Sequence, residues 1–299
     1  MNHPLAGVYA ASVTPLKADF SPDLEAFPSL LDFLARRGCH GFLLLGTTGE
    51  GPSFSPEERL GIMRSGLEVR AVHGALRLLA GTGTPSLTET VSLTRQAFDL
   101  GYDGVVVLPP YYFRKATEDG LFAYFSELIR RAVPADGALL YYHFPGLSGI
   151  QVSLDWLARL RDAFPGQFAG IKDSSGNADS ILGLGKRFGR EFLTMVGTEK
   201  LFQLGLENNI SGCITAPANL LSPDLRREWD ALQQGGELTA IQARLSTQRA
   251  VLEKYMPFPP ILKALLARKY GFPRWPVRPP LVDVPQEVET QAADEIQDI

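Results

Sequence analysis

Lys172 closes the apolar run Phe168-Ala169-Gly170-Ile171 and leads straight into the polar turn Asp173-Ser174-Ser175-Gly176-Asn177. At the end of a buried strand the ammonium form is disfavoured by desolvation, so such a lysine can present a neutral amine that attacks a carbonyl and forms a Schiff base. Three other apolar runs end in residues suited to the same chemistry. One runs into Gly46-Thr47-Thr48-Gly49-Glu50, whose glycines let the backbone turn tightly and offer N–H and hydroxyl groups to an anion such as a carboxylate. The others end in Pro109-Pro110-Tyr111-Tyr112 and Tyr141-Tyr142-His143-Phe144-Pro145. An amine, phenols and hydroxyls on one rim are what Schiff-base chemistry on a 2-oxo acid needs. The amine becomes the iminium electron sink, a phenol moves protons, and N–H donors hold the carboxylate.

Those residues have to be brought to a common rim, and the pattern of elements supplies one. Eight short apolar runs recur: Val8 to Val13, Phe42 to Leu45, Leu76 to Ala80, Val105 to Leu108, Ala138 to Tyr141, Phe168 to Ile171, Phe192 to Val196 and Cys213 to Ala216. They are apolar on both faces, as parallel strands covered by helices are. Helical spacing fills the gaps, as in Asp23 to Arg37 and in Ser55 to Val72, which opens Ser-Pro-Glu-Glu with a cap, a first-turn proline and acidic residues. Further starts fall at Ser86, Thr117 and Ser153. The alternation predicts an α/β fold, a (β/α)8 TIM barrel over residues 1–221, in which the active site lies at the C-terminal ends of the strands. A dinucleotide-binding Gly-x-Gly-x-x-Gly is absent after the first strand. Residues 222–299 read as a C-terminal helical extension, with helices over Pro223 to Gln234, Leu238 to Met256 and Pro260 to Tyr270.

Composition narrows the partners. A chain of 299 residues with 45% hydrophobic content fills a sizeable core. Its formal charge of −4 comes without any run of Lys or Arg, which argues against nucleic acid and for a small-molecule ligand. The two cysteines, Cys39 and Cys213, sit in or beside apolar stretches and read as buried thiols of a reducing compartment. The four histidines lack close metal-ligand spacing, so no metal is expected, and no organic cofactor is expected because a Schiff-base lysine would itself supply the electron sink. No apolar segment approaches the roughly 20 residues of a membrane span, and the N-terminus has no basic patch before a hydrophobic stretch, so a cytoplasmic location is expected.

Gly46-Thr47-Thr48-Gly49-Glu50, Tyr142-x-x-Pro145 ending in Gly149, and Gly170-Ile171-Lys172-Asp173-Ser174-Ser175-Gly176 follow one another in the order and spacing of the dihydrodipicolinate synthase and N-acetylneuraminate lyase family. The resemblance runs from Val13-Thr14-Pro15 to Val277-Arg278-Pro279-Pro280-Leu281, almost the whole chain. It implies that Lys172 is the Schiff-base lysine, that Tyr142 is the general acid and base beside it, and that Thr47 relays protons from Tyr142. Thr48, with Gly46 and Ser174, is implied in binding the oxo acid, and Ile214 resembles an apolar residue whose carbonyl faces the site. Tyr112 is similar to a tyrosine that relatives insert into a neighbouring subunit, which implies a homo-oligomer, a dimer or tetramer.

The chain departs from the lysine-pathway synthases of that family at Leu147, two residues beyond Pro145, where they usually carry an arginine that grips the carboxylate of aspartate semialdehyde. Leucine offers no such fork. Tyr142 to Gly149 resembles more closely the lyases and aldolases that cleave 2-oxo-3-deoxy sugar acids. Sialic acid lyases carry an acidic pair after the seventh strand, whereas this chain has Glu199-Lys200, which argues for a shorter substrate. The expected activity is therefore a pyruvate-forming Schiff-base lyase of 2-oxo-3-deoxy sugar acids or 4-hydroxy-2-oxo acids, with Glu199 holding a hydroxyl. A dihydrodipicolinate synthase, a sugar-acid dehydratase and a catalytically silent binder of 2-oxo acids are the alternatives.

Overall fold

A computed structural model describes residues 3–296. Eight strands, β1 (Gly7–Ala11), β2 (Gly41–Leu44), β3 (Arg77–Gly81), β4 (Gly104–Val107), β5 (Ala138–His143), β6 (Phe168–Asp173), β7 (Leu193–Val196) and β8 (Gly212–Thr215), follow in chain order around a closed barrel. With the helices between them and a helical region after β8, this is the (β/α)8 barrel that the alternation predicts. The chain forms two compact units, Met1–Gly7 with Arg77–Ile214 and Val8–Leu76 with Thr215–Ile299.

The first unit holds β3 to β7, β8 up to Ile214, and helices α3 (Leu87–Asp99), α4 (Glu118–Ala132), α5 (Pro145–Ser148), α6 (Leu154–Ala163), α7 (Ala178–Phe188) and α8 (Phe202–Glu207). Its strands pair in parallel, and every residue of β4 to β7 is buried, which is why they read as apolar runs without alternation. Helix starts fall where the sequence marks them. Ser86, Thr117 and Ser153 each accept the N–H of the residue three positions on, satisfying a donor that the helix leaves open.

The second unit holds the rest of β1, β2, α1 (Phe27–Arg36), α2 (Pro56–Leu67), α9 (Ala218–Gln233), α10 (Thr239–Glu253), α11 (Phe258–Tyr270) and α12 (Gln286–Glu295). Ser55 and Glu58 form a reciprocal capping box at the start of α2. Helix α1 begins at Phe27 rather than Asp23, because the Asp23 carboxylate is taken by the Ala26 N–H in the preceding turn. Helix α9 begins after Pro217 and passes through Pro223, so Ser222-Pro223 is not the helix start that its type resembles. Residues 221 and 222 lie inside this helix.

Candidate active site

Lys172 and Tyr142 lie within their strands rather than after them. Strand β5 runs to His143 and β6 to Asp173, both beyond the apolar runs that mark them in the sequence. The two residues are register partners across the β5–β6 pair, so their side chains leave the same face of the sheet. That register depends on an irregularity. Leu139 pairs with Phe168 but Leu140 with Gly170, leaving Ala169 as an extra residue in β6. Had the Leu139–Phe168 register continued unbroken, Tyr142 would face Ile171, and Lys172 would point to the other side. The Lys172 Nζ sits 4.2 Å from the centroid of the Tyr142 ring, and the two residues are only 4% and 6% exposed.

Glycines on β6 and after β7 allow the strands to close around this pair. A Cβ on Gly170 would fall 1.9 Å from the Leu193 carbonyl oxygen, and one on Gly197 would fall 2.0 Å from the Ser174 hydroxyl oxygen. The segment after Lys172 is held firmly. The buried Asp173 carboxylate accepts the Ser175 N–H at 2.7 Å and the Ser180 hydroxyl at 2.5 Å, and the Ser174 N–H donates to the His143 carbonyl at 2.8 Å. Asp173 thus fixes the turn that follows the lysine, a task that sequence reading does not assign to it. Burial pushes the pKa of His143 below the usual imidazole range, against the opposing charge of Asp173.

The other expected residues of this unit separate into buried and exposed groups. Ile214 in β8 and Glu199 in the turn after β7 are both fully buried, whereas Lys200 is exposed. Tyr112 is 77% exposed and packs edge-on against Phe113, itself 67% exposed. Leu147 on α5 is 43% exposed, and the turn that carries it closes on Gly149 in the left-handed region. A cavity of about 450 Å³ lined by His3, Arg77, Asp103 and Asp136 takes residues from the N-terminal ends of β3 and β5, the end opposite Lys172.

In the second unit, the turn after β2 carries Thr47, exposed, and Thr48, buried. The sequence attributes the tight turn to its glycines, but the left-handed residues are Leu45 and Glu50, with φ of 60° and 56°. The glycines serve close approach instead: a Cβ on Gly51 would lie 1.9 Å from the Leu45 carbonyl oxygen, and one on Gly49 2.8 Å from that of Ser12. Two non-glycine residues in this region cost on the order of 1–3 kcal/mol each, so the surroundings must hold them.

What holds Glu50 is a buried ion pair. Lys263 on α11 places Nζ 2.6 Å from Glu50 Oε1 and 2.7 Å from the Pro276 carbonyl, while the Arg278 N–H donates to Glu50 Oε2 at 2.8 Å. Burial pushes the pKa of Lys263 down, opposed by the Glu50 charge. The one sequence signal for this pair is Lys263 itself, a lone charge in the apolar run Ile261 to Leu266.

A buried lysine packed on a phenol ring, at the C-terminal end of a strand in a closed parallel barrel, is an arrangement suited to Schiff-base chemistry in a (β/α)8 enzyme. The chain belongs to the dihydrodipicolinate synthetase family, whose model matches residues 4–299. It is 38% identical over 283 residues to an uncharacterized DapA-like lyase of Chloroflexus aurantiacus, covering 94% of this chain and 92% of that one. Against the 4-hydroxy-tetrahydrodipicolinate synthase of Thermus thermophilus it is 33% identical over 288 residues, covering 94% and 93%. The crystal structure of DHDPS from Cyanidioschyzon merolae with lysine bound matches with a TM-score of 0.90 at 27% identity over 98% of both chains. The protein is accordingly an enzyme, a lyase of the pyruvate Schiff-base type.

Proposed function

We propose that this enzyme reversibly cleaves a 2-oxo-3-deoxy sugar acid or a 4-hydroxy-2-oxo acid to pyruvate and an aldehyde. The Lys172 amine adds to the C2 carbonyl, and loss of water gives the iminium. Tyr142 takes the proton of the C4 hydroxyl as the C3–C4 bond breaks, and the electron pair of that bond moves toward the iminium nitrogen to give an enamine and a free aldehyde. Tyr142 returns the proton to C3, and water hydrolyses the iminium to release pyruvate and the free amine. The covalent iminium is the electron sink, so the scheme calls for no metal or organic cofactor. Thr47 relays protons to and from Tyr142, and the Thr48 turn, with Gly46 and Ser174, holds the substrate carboxylate. Glu199 accepts from a substrate hydroxyl, and the Ile214 carbonyl faces the reacting atoms.

Leu147 carries the choice of substrate. Its side chain is half-exposed, and by the family resemblance its position is one where lysine-pathway synthases usually carry a carboxylate-binding arginine, so a distal aldehyde carboxylate would lack that fork. The second reading, condensation of pyruvate with aspartate semialdehyde, is favoured by the 33% identity to a protein of that name. The exposed Tyr112–Phe113 pair supports a homodimer or tetramer in which Tyr112 enters a neighbour's site. Two buried cysteines outside any disulfide, Cys39 and Cys213, support a cytoplasmic enzyme, and among the described residues no helix is long and apolar enough to cross a membrane.

Two measurements test the reading. Borohydride reduction in the presence of pyruvate, followed by peptide mapping, should leave the adduct on Lys172, and a folded protein without it would sink the mechanism. A panel of 2-oxo acids then separates the chemistries. A lyase releases pyruvate, a dehydratase gives a dioxo product without pyruvate, and a synthase consumes pyruvate only with aspartate semialdehyde.

A further inference from the structure

We propose that Glu50 is a positioning residue whose carboxylate, clamped between Lys263 and the Arg278 amide, holds the Gly46–Gly51 turn so that Thr47 and Thr48 present their hydroxyls in one fixed arrangement. This rests on the reading that the turn serves a Schiff-base reaction. Both carboxylate oxygens are taken, one by the Lys263 ammonium at 2.6 Å and one by the Arg278 N–H at 2.8 Å, and the residue is 3% exposed. With both oxygens engaged, Glu50 acts through its neighbours rather than on the substrate.

The backbone carries the restraint to the threonines. The Glu50 N–H donates to the Thr47 carbonyl at 3.1 Å, and the Gly51 N–H donates to the Gly46 carbonyl at 3.1 Å. The Thr14 hydroxyl donates to the Gly49 carbonyl at 2.8 Å. Beyond the turn, the Arg278 guanidinium grips the Ser53 carbonyl at 2.6 Å and both oxygens of Glu58 at 2.9 and 2.7 Å. The turn is therefore held by its hydrogen bonds, by one carboxylate from behind, and by one guanidinium downstream.

Stability alone is a poor reason for such a pair. Desolvation of two buried charges commonly offsets their attraction, and well-packed apolar residues often serve a fold as well. An ion pair does supply direction, because oxygens and N–H groups fix angles that methylenes leave loose. The left-handed conformation of Glu50 makes direction necessary, since the turn would otherwise relax.

The test compares Glu50→Met, Lys263→Met and the double variant with the wild type. Each single variant leaves an unpaired buried group and loses stability whatever its role. The double variant removes both charges at similar volume and, although the Arg278 N–H and the Pro276 carbonyl lose these partners, is more stable than either single variant. Positioning predicts that Lys172 of the double variant is still fully trapped by pyruvate and borohydride. Its kcat, and the rate of C3 proton exchange of pyruvate in heavy water, should both fall about 10- to 100-fold with little change in KM. A double variant that is folded and matches the wild type in kcat and exchange would overturn the inference. Should it fail to fold, Glu50→Gln serves in its place: a drop in kcat and exchange at unchanged KM supports positioning, and wild-type values of both reject it. Trapping of the wild type is the separate control, because its failure would reject the Schiff-base reading regardless of Glu50.

Discussion

The amine of Lys172 rests on the ring face of Tyr142, 4.2 Å from its centroid. An aromatic face attracts a cation, so the ring that meets an ammonium also meets the iminium formed in its place. On the proposed mechanism the phenol has two separable jobs: its ring shelters positive charge on the nitrogen, and its hydroxyl moves protons. Tyr142→Phe keeps the first and removes the second. Borohydride should still trap pyruvate on Lys172 in that variant, while kcat falls about 10²- to 10⁴-fold. Peptide mapping and steady-state kinetics on one preparation check both, and a variant with undiminished kcat would remove Tyr142 from the mechanism.

Gly170 decides whether β6 and β7 can pair at the point where Lys172 is set. The atom that an added Cβ would strike is the backbone oxygen of Leu193, its own register partner, so no side-chain rotation relieves the overlap. Gly170→Ala must push the strands apart, and we expect a loss of at least about 3 kcal/mol in urea unfolding. A loss below about 1 kcal/mol would mean that β6 can move away from β7 without cost, contrary to the close Gly170–Leu193 approach.

The sequence exposed the parts of this architecture that local physics dictates. Strand cores were legible because parallel strands covered on both faces are apolar throughout, and helix starts were legible at Ser55, Ser86, Thr117 and Ser153 because a side-chain oxygen must satisfy an N–H there. Both kinds of signal fail where tertiary context takes over. Tyr142, His143, Lys172 and Asp173 are buried strand residues that look like the start of a loop, and Pro223 sits within a helix that it seemed to begin. The extra residue Ala169 has meaning only against β5, and Glu50 meets Lys263 across 213 positions of chain. The types of the site residues were readable one strand at a time. Their registration was not.

Stability in acid should carry the signature of His40. Its ring Nδ1 accepts the Val8 N–H at 3.0 Å, the His40 backbone N–H donates to the Val8 carbonyl at 2.8 Å, and the ring lies beside Trp229. Burial, aided by Arg226 and opposed by Asp230, lowers its pKa to about 4 from the ordinary 6.5. Between those two values the unfolded chain binds a proton that the folded protein does not. Stability from this group is therefore complete above pH 6.5, declines as the pH falls, and is lost below about 4. His40→Asn keeps an acceptor near the position of Nδ1 without titrating. Melting curves across this range should show the wild type losing about 2–4 °C relative to the variant. Parallel curves would assign acid sensitivity to other groups.

Substrate choice should turn on Leu147. The side chain is 43% exposed on the short helix α5, so Leu147→Arg changes chemistry at the rim and should alter stability by no more than about 0.5 kcal/mol. The new guanidinium can hold a carboxylate with two parallel hydrogen bonds, which leucine cannot. If Leu147 sets the second substrate, kcat/KM for condensing pyruvate with aspartate semialdehyde should rise in the variant by about 10-fold or more, one charge-assisted contact being worth about 1.5–3 kcal/mol. Cleavage of a neutral-tailed 2-oxo-3-deoxy sugar acid should stay level or fall. A variant that gains nothing with the semialdehyde while the wild type already condenses it efficiently would transfer the assignment to the synthase reading, with the distal carboxylate held by a cation other than one at position 147.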